Sequence, residues 1–441
     1  MTIQIIRAAV LHFPRQSQTP AADIQYFAAG GLVIDDGKIV DLNDYGLMVG
    51  RYPDADVVDY RGKLLIPGLI DSHIHFPQTE MIASYGEQLL EWLENYTFPV
   101  ERKFADPVYA QKIADVFLQQ LLRNGTTTAM VYSSVHKEAT DALFSAAQQR
   151  QMLIIGGKTC MDRHCPEWLQ DSAQTAQRQS AELIEQWHGK DRLYYCLTPR
   201  FAPTSSPAQL ECLGELAQQY PDVFIQTHLS ESRQEIEWVK SLYPDADNYL
   251  DVYDRAGLVR SRAVFGHCIH LVDDEWSRLS ESGATIAFCP SSNLFLGSGL
   301  FALHKAREHQ VHVTLGTDVG AGTSFNLLRT MGDAYKVCQL QGDKLDPLTG
   351  LYMLTQGAAV ALQLEDKIGN LNIGTDADFV LLAPDFDTLS TLRLRDSSKT
   401  DNPADIIFAL SMLGDDRAIA ATWVNGCLAY QQQEEQLYAM D

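Results

Sequence analysis

Residues 67–75 have the sequence Pro67-Gly68-Leu69-Ile70-Asp71-Ser72-His73-Ile74-His75. The stretch begins as an apolar run and ends in two histidines that are separated by one residue. Alternate residues of a β-strand project to the same face, so both imidazoles can point toward one metal ion. A single pair of histidines in this spacing is a weak signal. Its interpretation depends on the residues that follow the other apolar runs of the chain.

Short apolar runs alternate with amphipathic stretches of helical period through the middle of the chain. The runs lie at residues 64–71, 126–132, 152–158, 193–199, 223–227, 263–266, 284–289 and 311–317. This alternation is typical of βα units and a parallel sheet. Eight such units predict an α/β protein built on a (β/α)₈ TIM-like barrel.

Both ends of the chain have a different pattern, in which β-branched runs are joined by short turns. Asp36-Gly37 near the start and Asn425-Gly426 near the end are typical hairpin turns. We therefore expect both termini to form one small β-sandwich domain. The predicted boundaries are 1–66 for its N-terminal part, 67–375 for a metal-dependent hydrolase barrel and 376–441 for its C-terminal part.

The composition excludes several classes of protein. The chain has 57 acidic and 34 basic residues, and its net charge of −23 argues against nucleic acid as a partner. No apolar run approaches the roughly 18 residues of a membrane span, and the N-terminus lacks a signal-peptide layout, so we expect no membrane partner and a cytoplasmic location. Eight cysteines without a Cys-x-x-Cys pair exclude a zinc finger and the cysteine-ligated nucleobase deaminases.

Residues with metal-binding or acid–base chemistry follow three further apolar runs. His228 follows the fifth run with Glu231 three positions later, His267 follows the sixth, and Asp318 follows the eighth. Barrel enzymes carry their chemistry at the carboxyl ends of the strands. The sequence therefore predicts one metal site at that end of the barrel.

The donor types indicate which metal the site would take. Three neutral imidazoles and one carboxylate, with a position left for water, suit Zn²⁺ or Fe²⁺, and water bound there ionises near neutral pH. Glu231 can accept the water proton and pass it on. His267 either orients the attacking hydroxide together with Asp318 or is itself a ligand. The fourth run is followed by Arg200, which cannot bridge two metals because it stays protonated, so one ion per subunit is expected.

The chain resembles the amidohydrolase superfamily, and within it the guanine deaminases, over nearly its whole length. The H-x-H at 73–75, the H-x-x-E at 228–231 and the G-T-D at 316–318 resemble many purine and pyrimidine deaminases of the superfamily. Pro77-Gln78, the stretch Y-G-E-Q-L-L-E-W-L at 85–93 and Thr198-Pro199-Arg200-Phe201 resemble guanine deaminases in particular.

This resemblance implies a role for each matching residue. The implied metal ligands are His73, His75, His228 and Asp318, and the implied catalytic residues are Glu231, His267 and Asp318. The implied substrate contacts are His75, Gln78, Arg200, Phe201, His228, Glu231 and Asp318. The resemblance also implies a homodimer.

The reaction expected from this resemblance is hydrolysis of guanine to xanthine and ammonia. A zinc-bound hydroxide would attack carbon 2, and Glu231 would carry the proton to ring nitrogen 3. Arg200 would donate to the 6-oxygen of guanine, Gln78 would donate or accept, and Phe201 would cover an aromatic face. Two alternatives remain open: the same machinery acting on another aminopurine or a triazine, and a binuclear amidohydrolase.

Overall fold

A computed structural model of the chain describes residues 3–85, 88–395 and 402–432. The strands are β1 Gln4–His12, β2 Gln25–Asp35, β3 Lys38–Asp44, β4 Asp56–Pro67, β5 Leu69–His75, β6 Thr126–Tyr132, β7 Leu153–Gly157, β8 Thr159–Cys160, β9 Leu193–Pro199, β10 Phe224–Leu229, β11 Ala263–His267, β12 Thr285–Phe288, β13 His312–Leu315, β14 Phe379–Leu382, β15 Ile419–Val424 and β16 Cys427–Gln431. Gly86 and Glu87 of the 85–93 motif, and residues 396–401 and 433–441 of the predicted C-terminal part, lie outside the described residues.

The helices connect these strands and cover the barrel. They are α1 Tyr45–Arg51, α2 Leu89–Trp92, α3 Phe98–Glu101, α4 Pro107–Arg123, α5 Lys137–Gln149, α6 Ala173–Trp187, α7 Pro207–Gln219, α8 Arg233–Leu242, α9 Tyr249–Arg255, α10 Asp273–Ser282, α11 Pro290–Phe295, α12 Leu303–Glu308, α13 Leu327–Leu340, α14 Pro347–Met353, α15 Gln356–Ala361, α16 Thr388–Arg393 and α17 Pro403–Leu413. A π-helical turn, Leu93–Thr97, joins α2 to α3.

Eight parallel strands form a barrel in the order β5-β6-β7-β9-β10-β11-β12-β13, and the short β8 pairs with β9. The first strand of the barrel, β5, contacts the segment after the last strand, β13. There the amide of Asp318 donates to the carbonyl of His73 at 2.8 Å. The amide of His75 donates to the carbonyl of Val319 at 2.9 Å. Every residue of β5 and β6 is buried, as expected for strands of a parallel barrel that are covered on both faces. The predicted TIM-like barrel is confirmed.

The two termini pair in a separate seven-stranded sheet with the order β16-β15-β14-β4-β1-β2-β3. The N-terminal and C-terminal parts join this sheet through the antiparallel pairing of β14 with β4, in which Phe379 pairs with Pro67. Both predicted hairpin turns occur, since Asp36-Gly37 and Asn425-Gly426 have positive φ angles at all four residues. The predicted small β-domain composed from both termini is confirmed, with its strands in this seven-stranded sheet, and the exact domain boundaries stay a prediction.

The first apolar run, at 64–71, belongs to two strands of different sheets. Its first part ends β4 of the terminal sheet, and its second part begins β5 of the barrel. The chain passes from one sheet to the other at Gly68, whose amide donates to the carbonyl of Asp378 at 2.9 Å. Because the residues on both sides of Gly68 are buried, hydropathy is continuous across the junction and does not mark the change of sheet.

His12, the last residue of β1, is a buried histidine that links the terminal sheet to the segment after the barrel. Its Nδ1 accepts from the amide of Leu371 at 3.2 Å, so its Nε2 donates to Oε1 of Gln25 at 2.9 Å. Burial lowers the pKa of His12 from 6.5 to about 4, although the Gln25 hydrogen bond opposes this shift.

We expect His12 to make the protein less stable in mild acid. The folded state favours the neutral form of His12. The contribution of this residue to the free energy of unfolding is therefore fully present above pH 6.5 and is lost as the pH falls toward 4. At about 1.4 kcal/mol per pKa unit, this one group can reduce the free energy of unfolding by about 3 kcal/mol. Urea unfolding of the parent and His12→Gln between pH 7 and 4.5 tests this, since glutamine can keep both hydrogen bonds without titrating. If the free energy of unfolding of His12→Gln falls with pH as steeply as that of the parent, the loss of stability in acid does not come from His12.

Candidate active site

The predicted metal-binding residues converge at the carboxyl ends of the barrel strands. Nε2 of His73 and Nε2 of His75 lie 3.3 Å and 3.2 Å from Oδ1 of Asp318. Nε2 of His228 lies 3.2 Å from Nε2 of His75, and Nε2 of His267 lies 3.9 Å from Oδ2 of Asp318. One ligand atom each from His73, His228, His267 and Asp318 lie within 4.8 Å of one another. The structure thus brings all five predicted side chains to one centre.

The backbone at these strand ends is held in unusual conformations. His267, Cys268 and Asp318 have φ angles of 69°, 53° and 51°, in the left-handed region that side chains other than glycine seldom adopt. Such residues cluster at functional sites. A Cβ atom at Gly316 would lie 2.6 Å from Cβ of His73, which explains why glycine precedes the Thr-Asp pair.

Hydrogen bonds outside the centre orient two of the imidazoles. Nδ1 of His228 lies 2.6 Å from the carbonyl oxygen of Arg200, and Nδ1 of His267 lies 2.8 Å from Oδ1 of Asn293. Both partners are acceptors, so each ring carries its proton on Nδ1 and turns the lone pair of Nε2 toward the centre. Sequence analysis did not find Asn293 in this role, because no spacing relates it to His267.

The electrostatics of the centre match a cation-binding donor set. Burial lowers the pKa values of His73, His75 and His228, that of His75 to about 3, so these rings are neutral. Burial opposes the ionisation of Asp318, but the adjacent imidazoles of His73 and His75 hold its pKa well below the usual range. Neither ring nitrogen of His73 makes a hydrogen bond with a described residue. Buried neutral imidazoles around a carboxylate are the ligands that a divalent zinc or iron ion takes, so the residues present fit such an ion.

Glu231 lies beside this centre, and its side chain is buried. Oε1 accepts from the hydroxyl of Ser298 at 3.1 Å, and Oε2 lies 3.5 Å from Nε2 of His267. Burial and the charge of Asp318 raise the pKa of Glu231 to about 8. A carboxyl group that titrates close to neutral pH is suited to accept and release a proton during a reaction.

Glu235 supports the loop that carries Glu231. Its Oε2 accepts from the amides of Glu231 at 3.0 Å and Ser232 at 3.2 Å, and its Oε1 accepts from the hydroxyl of Tyr249 at 2.7 Å. Burial and the neighbouring Glu231 raise the pKa of Glu235 to about 7. Sequence analysis missed this residue, although the Ser-x-x-Glu capping box at 232–235 marks the start of α8.

A cavity with an empty volume of about 390 Å³ opens onto the centre. Its polar lining consists of His75, Gln78, Arg200, His228, Glu231, His267 and Asp318, and its apolar lining consists of Leu89, Trp92, Leu93, Phe201, Leu296 and Ala321. Every residue predicted to contact substrate is among them, whereas the apolar residues of α2 and the π-helical turn were not predicted. A cavity that combines apolar walls with convergent polar groups is typical of a small-molecule site.

Arg200 has a buried partner that sequence analysis did not find. Its Nη1 donates to both carboxylate oxygens of Glu101, at 2.9 Å and 3.1 Å. Oε1 of Glu101 also accepts from Nε2 of Gln78 at 3.3 Å. No sequence signal identifies this pair, because its members are 99 positions apart and meet only through the fold.

Comparison with known proteins gives a consistent result. The family model described as "Amidohydrolase family" matches residues 64–428. Guanine deaminase of Escherichia coli K12 is 48% identical over 98% of both chains, and a probable guanine deaminase of Deinococcus radiodurans is 37% identical over 98% of this chain and 100% of its own.

The chain belongs to the amidohydrolase family and, within it, to the guanine deaminases. Solved structures agree. E. coli guanine deaminase covers 98% of this chain and 100% of its own with a TM-score of 0.95. Guanine deaminase from C. acetobutylicum, solved with guanine bound in its active site, is 28% identical and covers 97% of this chain and 100% of its own with a TM-score of 0.88. The family resemblance predicted from the sequence is confirmed. In the described part of the chain, no helix is both long and apolar enough to span a membrane.

Proposed function

We propose that this protein hydrolyses guanine to xanthine and ammonia. The observation that carries the proposal is the lining of one cavity. It combines side chains that can bind a metal ion, the carboxyl group of Glu231, which can carry a proton, and the guanidinium of Arg200. The relatives that span nearly the whole chain are guanine deaminases, and the C. acetobutylicum relative was solved with guanine in its active site.

His73, His75, His228 and Asp318 are the residues that we propose to hold one zinc ion. When bound, such an ion supplies a Lewis acid that lowers the pKa of a bound water molecule to about 7. His267 either orients the attacking water or joins the ligands, and its Nε2, 3.5 Å from Oε2 of Glu231, fits both roles.

Glu231 would move the proton between water and substrate. It accepts a proton from the attacking water and delivers it to ring nitrogen 3 as the water oxygen bonds to carbon 2. The bond between carbon 2 and the amino nitrogen then breaks, and the amine leaves as ammonia with the second proton of that water. Ser298 holds Oε1 of Glu231 at 3.1 Å, which keeps the carboxyl group directed into the cavity.

Arg200 would recognise the 6-oxygen of guanine. A guanidinium group only donates hydrogen bonds, so it can pair with the 6-oxygen of guanine. It cannot pair with the 6-amino group of adenine, because that group is also a donor. A site built around such a hydrogen bond can discriminate by about 10⁴–10⁵-fold. We expect guanine to be strongly preferred over adenine, with the buried ring of Phe201 covering one face of the base.

We expect Arg200→Lys to reduce kcat/KM for guanine by about 10- to 100-fold with the metal retained, because lysine keeps a charge for Glu101 but loses the planar fork. Arg200→Ala is expected to reduce kcat/KM further and also to destabilise the fold, by about 3–5 kcal/mol, because it leaves the Glu101 carboxylate buried and unpaired. Steady-state kinetics on guanine and adenine, a metal assay and thermal unfolding check both variants. Parent-like kinetics of Arg200→Lys and Arg200→Ala would remove Arg200 from substrate recognition.

The proposed reaction is tested directly by incubating the purified protein with guanine and following xanthine, with and without prior chelation. A panel of aminopurines and a chlorinated triazine separates guanine from other substrates. Two metal equivalents per chain would favour a binuclear hydrolase instead of the single ion proposed here. Reconstitution with zinc and with ferrous iron compares the two candidate metals.

The remaining parts of the proposal concern the cellular setting. We propose a homodimer that acts in the cytoplasm in guanine catabolism, with no nucleic-acid or membrane partner. The homodimer follows from the family resemblance, and the net charge of −23 opposes binding to nucleic acid. Light scattering of the purified protein tests the subunit number.

A further inference from the structure

Glu101 is a buried carboxylate that holds both polar residues proposed to read the substrate ring. It is the last residue of α3, and only 1% of its surface is exposed. Oε1 accepts from Nη1 of Arg200 at 2.9 Å and from Nε2 of Gln78 at 3.3 Å, and Oε2 accepts from Nη1 of Arg200 at 3.1 Å. The two residues that it contacts both line the cavity.

The contact with Glu101 uses one end of the Arg200 guanidinium and leaves the other end unused. Among the described residues, the hydrogen bonds donated by this guanidinium all come from Nη1. Cζ lies 5.8 Å from the ring centre of Phe98, which packs against the group from α3. The planar group is therefore fixed in orientation, with Nη2 and Nε available to a ligand.

The same contact determines which way the amide of Gln78 is turned. Its Oε1 accepts from the amide of Gly320 at 3.2 Å, while its Nε2 donates to Glu101. A carboxylate only accepts, so it requires the NH₂ end of Gln78 on its side. The proton of Gln78 that remains unused is the second N–H of Nε2. The side-chain amide of Gln78 could point either its oxygen or its NH₂ group this way. The contact with Glu101 selects the NH₂ group, so Gln78 presents an N–H donor beside Arg200.

We propose that Glu101 is a positioning residue that makes this pocket selective for 6-oxopurines. This inference rests on the proposed function and deepens it. By accepting from Arg200 and Gln78 together, Glu101 fixes both side chains so that each directs an N–H group toward the ligand. Such a pocket binds a ring edge that carries an acceptor at carbon 6 and rejects a ring that carries a donor there.

Binding measurements on two ligands that differ at the ring edge formed by carbon 6 and nitrogen 1 test the proposal. Hypoxanthine carries the 6-oxygen, purine lacks it, and neither has the 2-amino group that the reaction removes. We expect Glu101→Gln to weaken hypoxanthine binding by about 10- to 100-fold and purine binding by less than about threefold, because its own NH₂ competes with that of Gln78. Isothermal titration calorimetry of the metal-loaded protein gives both dissociation constants.

A double-mutant cycle with Arg200→Met identifies how Glu101 acts. If Glu101 works through Arg200, adding Glu101→Gln to Arg200→Met causes little further loss of hypoxanthine affinity. The double variant also leaves no unpaired buried charge, so its folding is protected where a single variant is unstable. Glu275→Gln is the matched control, since Glu275 is a buried carboxylate that caps α10 away from the cavity. It should leave the ratio of the two dissociation constants unchanged.

Several outcomes would overturn the assignment. Equal weakening of hypoxanthine and purine by Glu101→Gln would mean that the residue only stabilises the fold, as would full additivity in the cycle. Unchanged binding of both ligands would mean that the residue has no part in recognition, and a parent protein that binds purine as tightly as hypoxanthine would remove the selectivity itself. Failure of the proposed function is a separate result, because it appears as a parent protein that binds hypoxanthine selectively but forms no xanthine from guanine.

Discussion

Replacing His228 by alanine is expected to remove the bound metal and the guanine-hydrolysing activity together. Nε2 of His228 turns its lone pair into the centre because Nδ1 is held by the Arg200 carbonyl at 2.6 Å. Alanine removes one donor from a buried set whose other members are His73, His267 and Asp318. Metal content by mass spectrometry and xanthine formation should both fall to background, and added zinc should restore little of either.

The matched control for this prediction is His304→Ala on α12, outside the cavity lining, which should keep metal and activity. Full metal occupancy in His228→Ala would remove His228 from the ligand set. The same assay separates His75 from His267, because both reach the centre but the family resemblance implies only His75 as a ligand. Loss of metal in His75→Ala with retention in His267→Ala supports the predicted set, and the reverse result replaces His75 by His267.

Glu231→Gln is expected to keep the metal and to reduce turnover by about 10²–10⁴-fold. Glutamine has nearly the same volume and can still accept from the hydroxyl of Ser298, but it cannot carry a proton from water to ring nitrogen 3. The loss should appear mainly in kcat, with KM changed much less, because the substrate contacts assigned to Arg200 and Gln78 are retained. Stopped-time assays of xanthine together with a metal assay measure both quantities.

The control for the amide substitution is again Glu275→Gln, a buried carboxylate that accepts from the amides of Val272 and Leu250. This variant should retain the turnover of the parent even if its thermal stability falls. Loss of metal from Glu231→Gln would instead make Glu231 a ligand and contradict its assignment as a proton carrier. Parent-like turnover would remove it from the proton path.

The barrel and most of the candidate centre could be predicted because their signals are local. Most residues of the barrel strands are buried, so these strands lie in separate runs that are rich in apolar residues. The chemistry follows directly after several of those runs, as with His228 and Asp318. Where two buried strands adjoin, as at Gly68, hydropathy is continuous and the passage between the two sheets could not be seen.

Contacts between distant parts of the chain could not be predicted in the same way. Glu101 lies on a four-residue helix after a π-helical turn, and its spacing marks neither a strand end nor a motif. Asn293 and Ser298, which hold His267 and Glu231, come from the segment after β12. Their roles depend on which side chain each one contacts in the folded protein, and a single sequence does not show those contacts.

The sequence by itself therefore determined the class of fold, the family and the residues that can bind a metal or carry a proton. These properties follow from residue type and from the period of buried strands, which are local properties of the chain. Only the tertiary structure decided how those residues are tuned: the raised pKa of Glu231, the proton on Nδ1 of His228 and the turned amide of Gln78. The physical reason is that burial and hydrogen-bond geometry arise when distant segments pack together, so they set protonation and orientation only in the folded chain.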